Sequence, residues 1–177
     1  MHSAVNRYII TGGSGSGKSS IIKDLQARGY TCYPEISRML IKEQQDLGGD
    51  LLPWKNMKGF AGECFNRMKD QLNDDHDQPA FFDRGIPDII AYLKSRNLAF
   101  SFDYAAYASC YNSLVFICPP WQEIFVNDRQ RPESFNESKH IHLLLKKVYR
   151  ELNFKVIDIP RLSVSERVEF ILSRIER

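Results

Sequence analysis

The sequence predicts an α/β fold in which a five-stranded parallel sheet is flanked by helices on both faces. Three observations support this class: short apolar segments rich in β-branched or aromatic residues alternate with longer segments of helical spacing, the apolar segments have the length of strands, and the alternation spans all 177 residues. Such alternation is typical of a parallel sheet with helical crossovers. The predicted strands are 7–13, 31–35, 80–85, 113–120 and 154–160.

Composition and charge narrow the class of protein. The hydrophobic fraction is 43% and the charged fraction 26%, as in ordinary globular proteins. With 24 Lys and Arg against 22 Asp and Glu, the chain has no basic excess, which disfavours nucleic acid or anionic lipid as a partner. It has no signal-like apolar start and no apolar run near the roughly 18 residues of a membrane span. We therefore expect one cytoplasmic domain over 1–177, with no membrane partner and no signature of a particular oligomeric state.

The four cysteines and four histidines do not predict a transition-metal site. No two cysteines form a C-x-x-C pair, and the histidines have no cysteine or carboxylate at metal-ligand spacing. We expect reduced, mostly buried thiols.

The first predicted strand runs directly into a glycine-rich loop and then a helix. Gly12-x-x-x-x-Gly17-Lys18-Ser19 matches the phosphate-loop pattern without a mismatch and in the required strand–loop–helix context. Glycines let successive backbone N–H groups point at phosphate oxygens, and the helix N-terminus adds positive charge. Lys18 would reach the β- and γ-phosphates, and the Ser19 hydroxyl would ligate Mg²⁺. The predicted nucleotide-binding residues are Gly12, Gly13, Ser14, Gly15, Ser16, Gly17, Lys18, Ser19 and Ser20.

An acid and an arginine follow the second predicted strand. Glu35 comes directly after this strand's apolar part and Arg38 lies one helical turn further on. They would hold the hydroxyl or the ring of an acceptor molecule; the alternative is an ordinary helix-start acid beside a surface arginine. Helical spacing resumes at Ser37, and Pro53 is predicted to begin the next helix.

The third predicted strand ends in Asp83 and Arg84. This pair is the best indication of what the protein does with a bound phosphate. Residues at the carboxyl ends of parallel strands face the ligand crevice. A carboxylate beside a guanidinium suits a hydroxyl acceptor, because the carboxylate accepts the proton and the arginine balances charge on the transferred group. Asp83 is also a candidate ligand of Mg²⁺. The alternative is a structural ion pair at the end of a strand.

The remaining elements follow in order. Helices are predicted at 87–95, 103–110 and 142–152, and a last helix is capped by Ser163 or Ser165 with Glu166 completing a capping box.

Between the fourth strand and the helix at 142–152 lies a charged segment with Arg129 and Arg131. It would close over the nucleotide and bring cationic charge to the transferring phosphoryl group. The alternative is a solvated helix end.

Taken together, GGSGSGKSS, YPEISR, FFDRGIPD and DRQR resemble the bacterial AAA-type ATPases related to the kinase domain of nicotinamide riboside kinase NadR, within the phosphate-loop nucleoside and nucleotide kinase group. The likeness covers nearly the whole chain. It implies an acceptor-binding helical region at 37–78 and an arginine-bearing lid at 121–140. The candidate acceptor contacts that the resemblance adds to Glu35 and Arg38 are Trp54, Phe60 and Arg67, although core packing is the more ordinary role of the two aromatics.

Three functions are compatible with these residues. The favoured hypothesis is a kinase that transfers the γ-phosphoryl group of ATP to a hydroxyl or phosphate of a nucleoside-like or nicotinamide riboside-like metabolite. The second is a nucleotide-dependent regulatory switch that acts through a protein partner. A nucleic-acid end kinase ranks last, because no basic groove is evident. There is no Asn-Lys-x-Asp guanine signature, which disfavours GTP but leaves the base open.

Overall fold

The computed structural model describes residues 6–74, 76–126 and 133–175. Five strands pair in parallel in one sheet, in the order β2-β3-β1-β4-β5. The strands are β1 (Arg7–Gly12), β2 (Thr31–Tyr33), β3 (Ala80–Asp83), β4 (Leu114–Cys118) and β5 (Lys155–Asp158). The predicted five-stranded parallel sheet is therefore confirmed.

Helices cover both faces of this sheet, as predicted. The helices of the described ranges are α1 (Lys18–Ala27), α2 (Ile36–Leu47), α3 (Met57–Gln71), α4 (Ile86–Ser95), α5 (Phe102–Ala108), α6 (Phe135–Glu151) and α7 (Val164–Ile175). Apolar side chains of α1 and α7 pack on one face of the sheet, and those of α2 to α6 pack on the other. Because successive strand residues point to opposite faces, Ile9 of β1 packs with α2 to α6 and Ile10 packs with α1 and α7.

The centre of the sheet positions the functional residues. β1 lies between β3 and β4, with Ile10 beside Asp83 and Gly12 beside Cys118. Ile9 and Ile10 are both completely buried, and each contributes about 1.5–3 kcal/mol through burial. The carboxyl ends of β1, β3 and β4 consequently meet at one edge of a rigid core.

Two predicted helix boundaries are wrong, and capping explains both. α3 begins at Met57 instead of Pro53, because the Asn56 side chain accepts a hydrogen bond from the Gly59 N–H at 2.9 Å and caps the helix there. α6 begins at Phe135 instead of near 142, because Ser134 and Glu137 form a capping box inside the charged segment.

The predicted capping box of the last helix is present. Ser163 and Glu166 exchange hydrogen bonds at the start of α7. Within the described ranges, no helix combines the length and apolarity that a membrane crossing requires.

Candidate active site

The phosphate-binding motif forms the connection between β1 and α1. Gly17 precedes α1 with φ 83°, a left-handed conformation that glycine adopts without strain. The Lys18 ammonium donates hydrogen bonds to the carbonyl oxygens of Gly12 at 2.9 Å and Gly13 at 2.8 Å. Lys18 is only 4% exposed, so its charge is held against the loop backbone. Ser19 and Ser20 are exposed on the first turn of α1.

Residues from the last third of the chain contact this loop. The Ser14 hydroxyl donates to a Glu133 carboxylate oxygen at 2.7 Å, and the Ser138 hydroxyl donates to the Ser14 carbonyl at 3.0 Å. Arg167 of α7, which is 2% exposed, donates to the Ser16 carbonyl at 3.1 Å. The sequence motif gave no signal for these three residues, because they are far away along the chain and follow no local pattern.

Asp83 lies at the carboxyl end of β3, next to β1. Its residue is 6% exposed, and within the part of the chain that the structure describes its Oδ1 atom has no hydrogen-bond partner. Burial raises the pKa of Asp83 above its ordinary value, although the charges of Lys18 and Arg84 oppose the shift. A buried carboxylate with a raised pKa and a free oxygen has the properties of a general base.

Arg84 is a deeply buried cation of the site. Its Nε donates to Glu35 Oε1 at 2.9 Å and its Nη1 to Asp88 Oδ1 at 3.1 Å, with 3% of its side chain exposed. The guanidinium lies 5.4 Å from the centre of the Tyr92 ring. Its φ of 72° is left-handed, and such strain costs about 1–3 kcal/mol in a non-glycine residue. The pairing with Glu35 and Asp88 fixes this strained conformation.

Asp88, in the first turn of α4, was not predicted as a site residue. Its carboxylate accepts hydrogen bonds from four groups: the Thr11 hydroxyl (2.5 Å), the Tyr149 hydroxyl (2.5 Å), Arg84 Nη1 (3.1 Å) and the Gly85 N–H (3.1 Å). It is 2% exposed. Asp88 of α4 is therefore hydrogen-bonded both to the end of β1, through Thr11, and to α6, through Tyr149.

A cavity of about 250 Å³ lies beside Arg84, between α2, α3, α4 and the start of α6. Its apolar lining includes Ile41, Trp54, Met57, Phe60, Met68 and Ile89. Among the described residues, the charged lining consists of Arg84, Asp88, Arg96, Glu133 and Glu137. This combination of apolar walls and a few polar groups is typical of a small-molecule site.

The three predicted acceptor residues Glu35, Arg38 and Arg67 are not among the residues that line this cavity. Glu35 is buried and accepts from Arg84 and from the Ser37 hydroxyl. The charge of Arg38 acts on Asp83 and opposes the rise in its pKa. Arg67 is not one of the residues lining the cavity; it pairs with Glu43 at 2.8 Å and Glu63 at 2.7 Å.

The two predicted aromatic contacts border the cavity. Trp54 and Phe60 both line the cavity, and Phe60 is at the same time part of the core. The predicted lid arginines, Arg129 and Arg131, lie outside the described residues.

The residues at the loop fit a magnesium ion that arrives with a nucleotide. Asp83 Oδ1 is a buried oxygen without a protein partner among the described residues, and the Ser19 hydroxyl is exposed. Mg²⁺ prefers oxygen ligands, keeps several waters and takes few groups from the protein. Within the described ranges, no three His, Cys, Asp or Glu side chains cluster as a metal site of their own.

The sheet order, the phosphate loop and the neighbouring cavity define a phosphate-loop nucleotide-binding fold. The chain belongs to the AAA domain family, whose model matches residues 7–167. No curated protein matches its sequence.

Solved kinase structures share this fold over nearly the whole chain. The deoxyadenosine kinase from M. mycoides, with dCMP and dCDP bound, is 18% identical with a TM-score of 0.59, covering 96% of this chain and 98% of that one. The shikimate kinase from Acinetobacter baumannii in complex with shikimate is 16% identical with a TM-score of 0.61, covering 96% and 92%. NadR in complex with NR is 15% identical with a TM-score of 0.66, covering 97% of this chain and 51% of that chain. The expected kinase-type fold is therefore confirmed.

Proposed function

We propose that the protein is an ATP-dependent phosphotransferase that moves the γ-phosphoryl group to a hydroxyl or phosphate of a small metabolite, nucleoside-like or nicotinamide riboside-like. The observation that carries this proposal is the position of Asp83, a buried carboxylate with a free oxygen that lies within the field of Lys18 and is followed directly by cavity-lining Arg84. The phosphate loop and the proposed acceptor cavity therefore both adjoin Asp83, a carboxylate that can take a proton.

In the transfer step, the acceptor hydroxyl oxygen forms a bond to the γ-phosphorus while the bond from that phosphorus to the β–γ bridging oxygen breaks. Asp83 takes the hydroxyl proton, and ADP leaves. Lys18 stabilises the charge of the phosphates, and Arg129 and Arg131 would add cationic charge from the predicted lid. Mg²⁺, held by Ser19 and by Asp83 directly or through water, would neutralise charge on the phosphate oxygens.

The replacement Asp83→Asn tests this role. Asparagine keeps the shape of the side chain but removes its capacity to accept the proton, so ATP-dependent transfer should fall about 10²- to 10⁴-fold. Nucleotide affinity, measured by calorimetry without Mg²⁺, should change only a few-fold, since Lys18 and the loop remain. Asp46→Asn, at an exposed residue paired with Lys42, is the matched control. Transfer by Asp83→Asn at nearly the wild-type rate would show that Asp83 is not the base.

The same assay separates the kinase from a regulatory switch. ADP release should rise when nucleosides, nicotinamide riboside, nucleoside monophosphates or sugars are added in turn. A flat response to all of these compounds, together with a protein that co-purifies, would favour the switch instead.

A further inference from the structure

The charges around the acceptor cavity define the kind of molecule that fits it. We propose that the cavity binds a flat, uncharged or cationic acceptor and discriminates against phosphorylated and carboxylate compounds. This inference rests on the proposed kinase function and narrows its acceptor from a hydroxyl or phosphate to the hydroxyl of an unphosphorylated ring compound.

Both guanidinium groups at the cavity act on carboxylates: Arg84 through direct ion pairs and Arg96 through its charge. Arg84 is paired with both Glu35 and Asp88. The charge of Arg96 acts on Glu137, whose pKa is held below its ordinary value first by hydrogen bonds from Ser134 and further by Arg96. An incoming phosphate or carboxylate would therefore have to compete with two existing carboxylate partners for Arg84.

Glu133 adds a further negative charge. It lines the cavity, accepts a hydrogen bond from Ser14 of the phosphate loop and acts electrostatically on Arg84. The charged lining residues of the described part thus comprise three carboxylates (Asp88, Glu133, Glu137) and two guanidiniums (Arg84, Arg96). Like charges placed together disfavour binding, so the Glu133 carboxylate, which contacts the loop at Ser14, disfavours an acceptor that carries its own negative charge at that side of the cavity.

The cavity still offers hydrogen bonds to a neutral polar group. The Nη2 atom of Arg84, a 4% exposed residue, has no hydrogen-bond partner among the described residues, and Arg84 lines the cavity. A buried donor without a partner is costly. A hydroxyl or carbonyl oxygen of the acceptor satisfies this donor without bringing a net negative charge.

The apolar lining favours a flat ring. Trp54, Phe60 and Tyr92 contribute aromatic surfaces, and Met57 and Met68 contribute adaptable thioethers. Aromatic faces and methionine sulfur both bind planar rings, and aromatic faces also attract cations. The volume of about 250 Å³ suits a small molecule.

Matched pairs of compounds test the inference by binding. Calorimetry with the full chain, Mg²⁺ and a non-hydrolysable ATP analogue would compare adenosine, cytidine and nicotinamide riboside with their 5′-monophosphates, and shikimate would serve as the carboxylate. At least one uncharged or cationic compound should bind about tenfold or more tightly than its monophosphate. Equal or tighter binding of the monophosphates or of shikimate would overturn the inference, and so would a lack of binding by every uncharged and cationic compound.

Transfer is measured separately, so that the two proposals can fail independently. Selective binding of an uncharged compound without any phosphorylated product would refute the kinase function and leave the charge selectivity intact. Phosphorylation of a monophosphate in preference to its nucleoside would refute the charge selectivity and leave the kinase function intact.

Charge variants give a second readout. Glu133→Gln and Glu137→Gln each remove one carboxylate, and glutamine at position 137 retains the capping box. Each variant should reduce the preference for the uncharged compound several-fold. Glu151→Gln is the matched control, because it makes the same substitution on α6 at a residue paired with Lys94 and outside the cavity lining. An unchanged preference in both cavity variants would contradict the electrostatic explanation.

Discussion

Asp88→Asn should destabilise the protein strongly, because the Asp88 carboxylate accepts four buried hydrogen bonds. Asparagine replaces one of the two acceptor oxygens with an N–H₂ group. The hydroxyls of Thr11 and Tyr149 can rotate and accept from that amide, but Arg84 Nη1 and the Gly85 N–H can only donate. Whichever way the amide is turned, one of these two donors faces another donor.

The expected loss of stability follows from the one donor that is left without an acceptor. A buried donor left without an acceptor costs about 1–3 kcal/mol, and removal of one partner from a buried ion pair costs about 3–5 kcal/mol. Because Arg84 keeps its ion pair with Glu35, the total loss of unfolding free energy should be about 3–5 kcal/mol. That is a large part of the total stability of about 5–15 kcal/mol of a typical domain. In a chain of this size it should lower Tm by about 6–20 °C.

Tyr149→Phe provides the graded comparison. Burial and the Asp88 carboxylate raise the pKa of Tyr149 well above its ordinary value, so the hydroxyl is a donor at neutral pH. Phenylalanine removes this donor alone and leaves Asp88 with its other three, which should cost about 1.5 kcal/mol. Urea denaturation followed by circular dichroism measures both variants. Equal free energies of unfolding for Asp88→Asn and Tyr149→Phe would refute the reasoning about unsatisfied donors.

Three further predictions concern packing and pH. A Cβ at Gly13 would clash with the Ser138 hydroxyl, so Gly13→Ala should lower the stability by about 1–3 kcal/mol. Gly62→Ala, inside α3 with nothing within 4 Å of the added Cβ, should raise the stability by about 0.5–1 kcal/mol. Thermal denaturation compares the two variants, and an unchanged stability of Gly13→Ala would contradict the close contact of α6 with the loop. Burial lowers the pKa of His142, so the unfolded chain takes up more protons and stability should fall as the pH drops below about 6.5; a His142→Gln variant with the same pH dependence of unfolding as wild type would disprove this. Because burial raises the pKa of Asp83, transfer should decline on acidification at a pH above the ordinary aspartate value of about 4, and a decline centred at or below that value in the pH–rate profile would remove the base from its proposed role.

Much of the fold could be predicted because its signals are local. The β-branched strand segments and the helical spacing between them are short patterns of adjacent residues, and the phosphate loop is one contiguous motif. The start of α3 was misplaced because proline commonly occupies the first helical position, whereas the Asn56 side chain caps the helix three residues after Pro53. The start of α6 was missed because its capping box is embedded in a run of charges.

The site was predictable only in part, because its contacts join distant parts of the chain. Glu35 and Arg84 were both predicted as site residues, but their ion pair spans 49 positions and needs the pairing of β2 with β3. Asp88 gathers donors from 77 positions upstream and 61 downstream. Arg167 reaches the loop across 151 positions. No local pattern carries such information.

The strand order explains why one strand end connects the two halves of the site. β1 and β2 are consecutive in the chain but are not neighbours in the sheet, since β3 lies between them. Asp83 therefore stands beside β1, which leads into the phosphate loop, and Arg84 reaches back to Glu35 at the end of β2. α2 and α3, which connect β2 to β3, pack on one face of the sheet and form the wall of the cavity. The chain thus places two adjacent residues of opposite charge between the phosphate loop and the cavity. Asp83 lies on the side of Lys18, and Arg84 lines the cavity that we propose binds the acceptor.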